Sequence, residues 1–212
     1  MKNSRRSLLS NLLRGTAVLA AAIALALAFA ARRTPTRLTR TVVSLAGMGY
    51  AVPGAVIVVG LLLPVGWVQD TWPRTGVGFW LTATLLGLLW AYLVRFVAVA
   101  FQSVQSGYAR VPASLDDSAR MLGTSGFSLI YRVHWPLLKK PLAAATLLVL
   151  IDVMKELPAT LVLRPFNFDT LAVVTYQLAS DERLAEAAWP ALTIVLAGLL
   201  PVIILSRAMS KD

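Results

Sequence analysis

Five long stretches of apolar residues dominate the chain, and few charges interrupt them. They lie at about 12–31, 42–65, 77–101, 141–163 and 189–206. Residues 41–69 and 75–94 contain no Asp, Glu, Lys or Arg. A run of roughly 18 or more apolar residues can cross the hydrocarbon core of a bilayer as a helix, which satisfies its own backbone hydrogen bonds there. The pattern predicts an all-α membrane protein with about five transmembrane helices.

The basic residues favour alternate connections between these stretches, and this predicts the orientation. The first connection carries four Arg and no acid; residues 102–140 have five basic and two acidic residues, net +3, and residues 164–188 have two basic and four acidic residues, net −2. Loops rich in Lys and Arg stay in the cytoplasm. We therefore place the first and third connections and the C-terminal tail in the cytoplasm, and the second and fourth in the periplasm.

Composition narrows the possible functions further. The chain is 58% hydrophobic and 14% charged, with a mean hydropathy of +0.72, whereas soluble domains have about 45–50% apolar and 25% charged residues. It has no Cys and one His, so we assign no metal ligands. The net charge of +10 sits at the ends of apolar stretches and not on one basic face, which argues against nucleic-acid binding.

The third connection predicts a short helix, too short to span a membrane. Ser114 is placed to cap it, with Asp117 completing a capping box. Gly123 follows where a left-handed residue would end the helix. Asp116, Asp117 and Arg120 lie away from an apolar face at helical spacing, formed by Leu115, Ala119 and Leu122.

The same connection resembles the EAA loop of ABC-importer permeases. Its residues run Asp117-Ser118-Ala119, then Gly123 after three residues, then Val133-His134-Trp135-Pro136 after nine more. Asp117 stands for the usual Glu, Ser118 for Ala and Trp135 for Leu. The resemblance implies the type I importer permease fold, with a core at 41–212 after an N-terminal helix and basic connection at 1–40. It also implies that a loop at about 107–140 docks on an ATPase through Asp117, Ser118, Ala119, Arg120, Gly123, Val133 and Pro136.

Two further segments are similar to the C-terminal half of ferric-iron permeases: GYAVPG at 49–54, and MKELPATL at 154–161 followed by LRPFNFDTLA at 163–172. This resemblance implies an iron importer of the bacterial inner membrane that works with ATPase subunits, a periplasmic solute-binding protein and a second permease half. ATP and Mg would belong to the ATPase, and this chain would have no cofactor. Thiamine, a polyamine or an oxyanion remain alternative solutes.

Five spans and a cytoplasmic C-terminus place the N-terminus outside the cytoplasm. The charges there conflict with this location, because basic residues favour the cytoplasm and the N-terminal segment carries Lys2, Arg5, Arg6 and Arg14. We therefore expect the chain to be the C-terminal half of a two-half permease, with a homodimer as the alternative.

Charges within the fourth stretch form a candidate permeation path or gate. Asp152 and Glu156 share a helix face, Lys155 lies beside them, and Pro158 interrupts the helix. The alternative is a salt-bridged helix end near the periplasmic interface. We expect Arg95 to reach the cytoplasmic headgroups, with a place lining the bundle as the alternative. We expect His134 to be an interface residue of the docking loop and not a metal ligand.

Two other classes of function remain to be weighed against transport. A membrane enzyme is disfavoured by the single His, the absence of Cys and the absence of a Gly-x-Ser-x-Gly motif. No phosphate-binding P-loop occurs either, so ATP hydrolysis must come from another chain. Only the EAA-like loop argues against a membrane scaffold. We predict a transport subunit without a catalytic site.

Overall fold

The computed structural model describes the backbone of residues 2–209 and the side chains of residues 10–203, 206 and 207. This part of the chain is helical and has no strand. The helices are α1 (Lys2–Arg33), α2 (Arg37–Met48), α3 (Gly54–Thr71), α4 (Val77–Thr82), α5 (Leu85–Tyr108), α6 (Ala113–Met121), α7 (Gly126–Leu129), α8 (Trp135–Lys155), α9 (Pro158–Leu163), α10 (Leu171–Ser180) and α11 (Leu184–Met209), with a 3-10 turn (Pro73–Thr75) and a π-helical turn (Ile130–His134).

Four described segments are long and apolar enough to cross a membrane: Ser10–Arg33, Gly54–Thr71, Leu85–Tyr108 and Leu184–Ile203. The first, third and fifth predicted stretches supply three of them. Helix α8, from the fourth stretch, has 21 residues but carries four charges, and it is not one of these four segments. It packs against α1 and α5 and completes the bundle.

The second and third predicted spans are wrong in their internal boundaries, because hydropathy does not register a helix break inside an apolar run. The second stretch is two helices, separated at 49–53, where Pro53 precedes α3. The third is broken after α4, and the Thr84 hydroxyl caps α5 by accepting from the Leu86 N–H. The fourth starts earlier, at Trp135, and ends at Lys155. Pro158 then opens α9, where its missing N–H costs nothing, so the predicted interruption of the helix at this residue is confirmed.

The core of the bundle lies between α1, α5 and α8. Helix α1 contributes small buried side chains: Ala17, Ala20, Ala21, Ala24 and Ala28. Small residues let membrane helices approach closely. Close packing matters there because lipid supplies no hydrophobic driving force for helix association. Larger side chains fill the opposite side of this core: Leu88, Tyr92 and Phe96 from α5, and Leu138 and Val149 from α8.

Helices α10 and α11 form a hairpin, which contacts the bundle through α8. On α3 and α11, many apolar side chains are exposed on this chain, among them Val59 and Leu196. In a membrane protein such faces contact lipid or another subunit.

The predicted orientation can be tested by thiol labelling, because the natural chain has no Cys. Single cysteines at Thr36 and Ser128 should be shielded from an impermeant maleimide in intact cells and should react after permeabilisation. A cysteine at Ser180 should react in intact cells. Thr36 and Ser180 are exposed and Ser128 is half-exposed, so burial does not prevent reaction at these positions. Labelling in the reverse sense would invert the topology.

Candidate functional site

The predicted short helix exists as α6, but its start differs from the prediction. Helix α6 begins after Pro112 and has no side-chain cap, so the capping box of Ser114 and Asp117 is wrong. Ser114 lies inside the helix, where its carbonyl accepts the Ser118 hydroxyl at 2.9 Å. The backbone of Pro112 is extended and helical geometry begins at the next residue, so the helix starts one residue before Ser114.

The end of α6 agrees with the prediction for Gly123. Its φ of +79° is left-handed, a conformation that a side chain with a Cβ rarely adopts. The Gly123 N–H donates to the Arg120 carbonyl and the Thr124 N–H to the Ala119 carbonyl, both at 2.9 Å. These two bonds form a Schellman motif, which ends the helix sharply.

The buried face of α6 is not the predicted apolar one. Ala119 is buried as expected, but Leu115 is exposed and Leu122 is 85% exposed. The residue that turns inward with Ala119 is Asp116, which is buried. A carboxylate in such a place needs a charged partner, and sequence periodicity cannot show where that partner lies.

Arg32, at the end of α1, is that partner. Its Nε donates to Asp116 Oδ2 at 2.7 Å, while Nη1 and Nη2 donate to the carbonyls of Val111 and Pro112 at 2.8 and 2.9 Å. The planar guanidinium fork can bind all three acceptors at once, which a lysine ammonium could not do in this geometry. Arg32 thereby joins α1 to the segment that leads into α6.

His134 closes the same cluster from the far end of the loop. It is fully buried, so its prediction as an interface residue is wrong. Its Nδ1 lies 2.8 Å from the Tyr108 hydroxyl, and its Nε2 lies 3.4 Å from Asp116 Oδ1 without an aligned hydrogen bond. The carboxylate beside Nε2 favours the tautomer that carries its proton there. Burial lowers the His134 pKa, while Asp116 opposes this effect and Arg32 adds to it.

We name Arg32, Tyr108, Asp116 and His134 the loop anchor. It joins the C-terminal ends of α1 and α5 to both ends of the loop at 107–140. Sequence reasoning missed Arg32 and Tyr108 because nothing in their spacing links them to residues more than twenty positions away. The adjacent acids Asp116 and Asp117 were a visible signal, but periodicity did not distinguish the buried one from the exposed one.

The outer face of the loop is exposed and partly apolar. Met121, Leu122 and Phe127 are at least 80% exposed, and Tyr131 and Trp135 are also exposed. Among the predicted docking residues, Asp117, Ser118, Arg120 and Pro136 are exposed, Val133 is half-buried and Ala119 is buried. Asp117 and Arg120 form an exposed ion pair at 3.5 Å. Exposed apolar side chains rimmed by polar ones are typical of a protein-binding surface.

A second charged cluster lies where α2–α3 and α8–α9 are broken. Arg95, near the middle of α5, pairs with the buried Glu156 at 3.2 Å from Nε to Oε2. Its Nη1 donates to the Val52 carbonyl at 2.8 Å. The expectation that Arg95 reaches the headgroups is therefore wrong, because its partners lie within the bundle.

The predicted path residues separate into two pairs. Lys155 is exposed and pairs with the buried Asp152 at 2.7 Å, whereas Glu156 faces Arg95 and accepts the Ala159 N–H at 3.3 Å. Pro158 is exposed at the start of α9. The two pairs adjoin each other in the chain but have different surroundings, one at the surface and one within the bundle.

The chain is similar over most of its length to known transport proteins. Residues 16–211 match the family described as the binding-protein-dependent transport system inner membrane component. The Fe(3+)-transport system permease protein FbpB 2 of Haemophilus influenzae is 28% identical over 196 residues, which cover 92% of this chain and 37% of that protein. A protein of Salmonella typhimurium named as the 2-aminoethylphosphonate transport system permease protein PhnV is 32% identical over 154 residues, or 72% of this chain and 55% of the relative. The chain thus spans about half or less of these relatives.

Removing the charge of Asp116 should destabilise the protein more than removing that of Asp117. Asp116→Asn leaves the Arg32 guanidinium largely buried without its counter-charge, which should lower the free energy of unfolding by about 3 kcal/mol. Asp117→Asn loses only an exposed pair, a loss of about 0.5 kcal/mol or less. Thermal unfolding of the two variants in detergent provides the measurement. Equal losses would mean that the anchor does not hold the loop.

The loop anchor should also weaken in acid. Because the folded-state His134 pKa lies below its ordinary value of 6.5, the unfolded state binds this proton more readily. The stability that the neutral imidazole contributes is therefore complete above the ordinary value and is lost as pH falls through the lowered one. Between about pH 7.5 and about pH 5.5, the unfolding midpoint of the natural chain should fall more than that of His134→Gln, which does not titrate. Parallel curves would contradict this assignment.

Proposed function

Because this chain belongs to the inner-membrane components of binding-protein-dependent transport systems, we propose that it is one permease half of an ATP-driven importer. The family confirms the resemblance to ABC-importer permeases and identifies a multi-pass protein of the inner membrane. In our proposal the chain receives its solute from a periplasmic binding protein. A separate ATPase supplies the energy, and the loop at 107–140 transmits it.

The observation that carries this proposal is an exposed apolar surface on a loop that is anchored at both ends. Met121, Leu122 and Phe127 form an exposed apolar surface. A partner protein that covered this surface would remove its apolar area from water. Arg32 and His134 hold the other face of the loop against the bundle. A movement imposed on the exposed face therefore reaches α1, α5 and α8 through charged and hydrogen-bonded contacts as well as through the chain itself.

We propose ferric iron as the solute. The support is the similarity to the Fe(3+) permease FbpB 2, which extends over 92% of this chain, together with the segments at 49–54 and 154–172. A phosphonate is the second candidate, supported by the 32% identity to PhnV. The four charges near the helix breaks do not favour either, because Arg95 and Lys155 balance Asp152 and Glu156.

We propose that a second permease half completes the pathway, as a fused, separate or identical chain. The exposed apolar faces of α3 and α11 support this, since a neighbouring helix can cover such faces as readily as lipid can. A natural homodimer remains the alternative that the sequence left open, because two-fold pairing is the commonest oligomer.

Uptake measurements can test the solute and the function together. The chain should be produced with its second permease half, its ATPase and its binding protein in cells that lack their own systems for both solutes. We expect ATP-dependent accumulation of radiolabelled Fe(III), and no accumulation of 2-aminoethylphosphonate above the level in cells without the chain. The opposite preference would replace iron by the phosphonate. Accumulation of neither solute, with the membrane complex assembled and the binding protein present, would contradict the proposal for these solutes.

Gly123→Val provides a sharper test of the loop. A β-branched residue is strongly disfavoured at a φ of +79°, so the end of α6 should be distorted while the distant bundle remains folded. We expect normal insertion, a loss of uptake of about tenfold or more, and ATP hydrolysis that no longer drives transport. The matched control is Ser125→Val, two residues away, where the extended backbone (φ −141°) suits valine. Normal uptake by Gly123→Val would exclude this loop as the point of transmission.

A further inference from the structure

Two interrupted helices meet at a single side chain near the middle of the bundle. The chain is non-helical at 49–53, between α2 and α3, and at 156–157, between α8 and α9. Arg95 of α5 contacts both breaks, through the Val52 carbonyl of the first and the Glu156 carboxylate of the second. Backbone groups released by a break need new partners in a membrane, and Arg95 supplies one of them.

The fit around this contact leaves no spare space. Gly54, the first residue of α3, lies so close to Glu156 that an added Cβ would be 2.4 Å from its Oε1 and 3.3 Å from Arg95 Nη1. The Arg95 guanidinium also lies over the rings of Tyr50 and Phe96, at 5.9 and 5.8 Å. The position of the Glu156 carboxylate therefore depends on how closely α3 approaches it.

The pairing between Arg95 and Glu156 depends on charge and not on an aligned hydrogen bond. Charges at membrane depth are costly unless they are paired. The Arg95 Nε atom is buried beside Glu156 as an ion pair, without an aligned hydrogen bond. A contact of this kind favours the one arrangement of helices in which both partners meet. Separating them without a replacement leaves two unpaired charges, so the contact adds to the cost of any movement of α3 against α9.

We propose that Arg95 is a positioning residue that latches the two broken helices in the conformation described here, and that the latch opens during each transport cycle. This inference rests on the proposed function. The latch consists of Arg95, Glu156, the Val52 carbonyl and the space left by Gly54. Its free energy forms part of the cost that the loaded binding protein and ATP must offset before the helices rearrange.

Gly54→Ala tests the latch without changing a charge. The new methyl group must displace the Glu156 carboxylate, whereas Gly60→Ala, on the same helix, meets no atom within 4 Å. In the complex with ATPase and second half in liposomes, we expect Gly54→Ala to hydrolyse ATP without binding protein about tenfold faster than the natural chain. That factor corresponds to about 1.4 kcal/mol in the equilibrium between closed and open latch. Gly60→Ala should behave like the natural chain.

Glu156→Gln should have the same effect as Gly54→Ala, because it removes the charge and keeps the shape. A gain of unstimulated hydrolysis is not expected from a side chain that only stabilises the fold. If both variants retain the natural dependence on binding protein, or if hydrolysis and uptake decline together, the latch is refuted. If neither variant accumulates in the membrane, the unstimulated ATP hydrolysis of Arg95→Lys is measured instead. One ammonium group cannot reach both partners, so a smaller gain is expected, and natural behaviour would also refute the latch.

The natural complex distinguishes a failure of the proposed function from a failure of the latch. If its ATP hydrolysis is not stimulated by loaded binding protein and it transports nothing, the proposed function fails before any variant is compared. If it is stimulated and the variants match it, the proposed function stands and the latch alone fails.

Discussion

The ion pair between Arg32 and Asp116 is the constraint on which the arrangement of the loop depends. Because a buried carboxylate is costly without a partner, the face of α6 that bears Asp116 must turn toward the end of α1. This forces Leu122, with Met121 and Phe127 beyond it, to face outward. The apolar surface that we assign to a partner protein is therefore a consequence of a buried charge on the opposite face.

The same requirement acts a second time within the membrane. An unpaired Arg95 or Glu156 would carry a large free-energy cost within the membrane. As an ion pair, the two side chains join the two helix breaks. Buried ion pairs contribute less to stability than apolar packing of similar volume often would. Their retention at a helix break is easier to understand if they define one conformation among several than if they only hold the fold together.

Helix α5 connects the two clusters. It contributes Tyr108 to the loop anchor and Arg95 to the latch, and thirteen residues of helix, about 20 Å, separate them. Most of its buried side chains lie between α1 and α8, so α5 cannot move independently of the core. A displacement at the loop and a rearrangement of the broken helices thus share one rigid element, which is a physical route for coupling between them.

Local features of the sequence determined the class of fold, the approximate helix positions and the existence of α6 with its left-handed Gly123. These features depend on local chemistry: apolar length, helical spacing and the backbone freedom of glycine. The pattern did not locate the break at 49–53, since uncharged residues continue through it, whereas Pro158 did indicate the break at 156–157. Nor could it pair Arg32 with Asp116 or Arg95 with Glu156. Those contacts join residues sixty or more positions apart, and only the tertiary packing of α1, α5 and α8 brings them together.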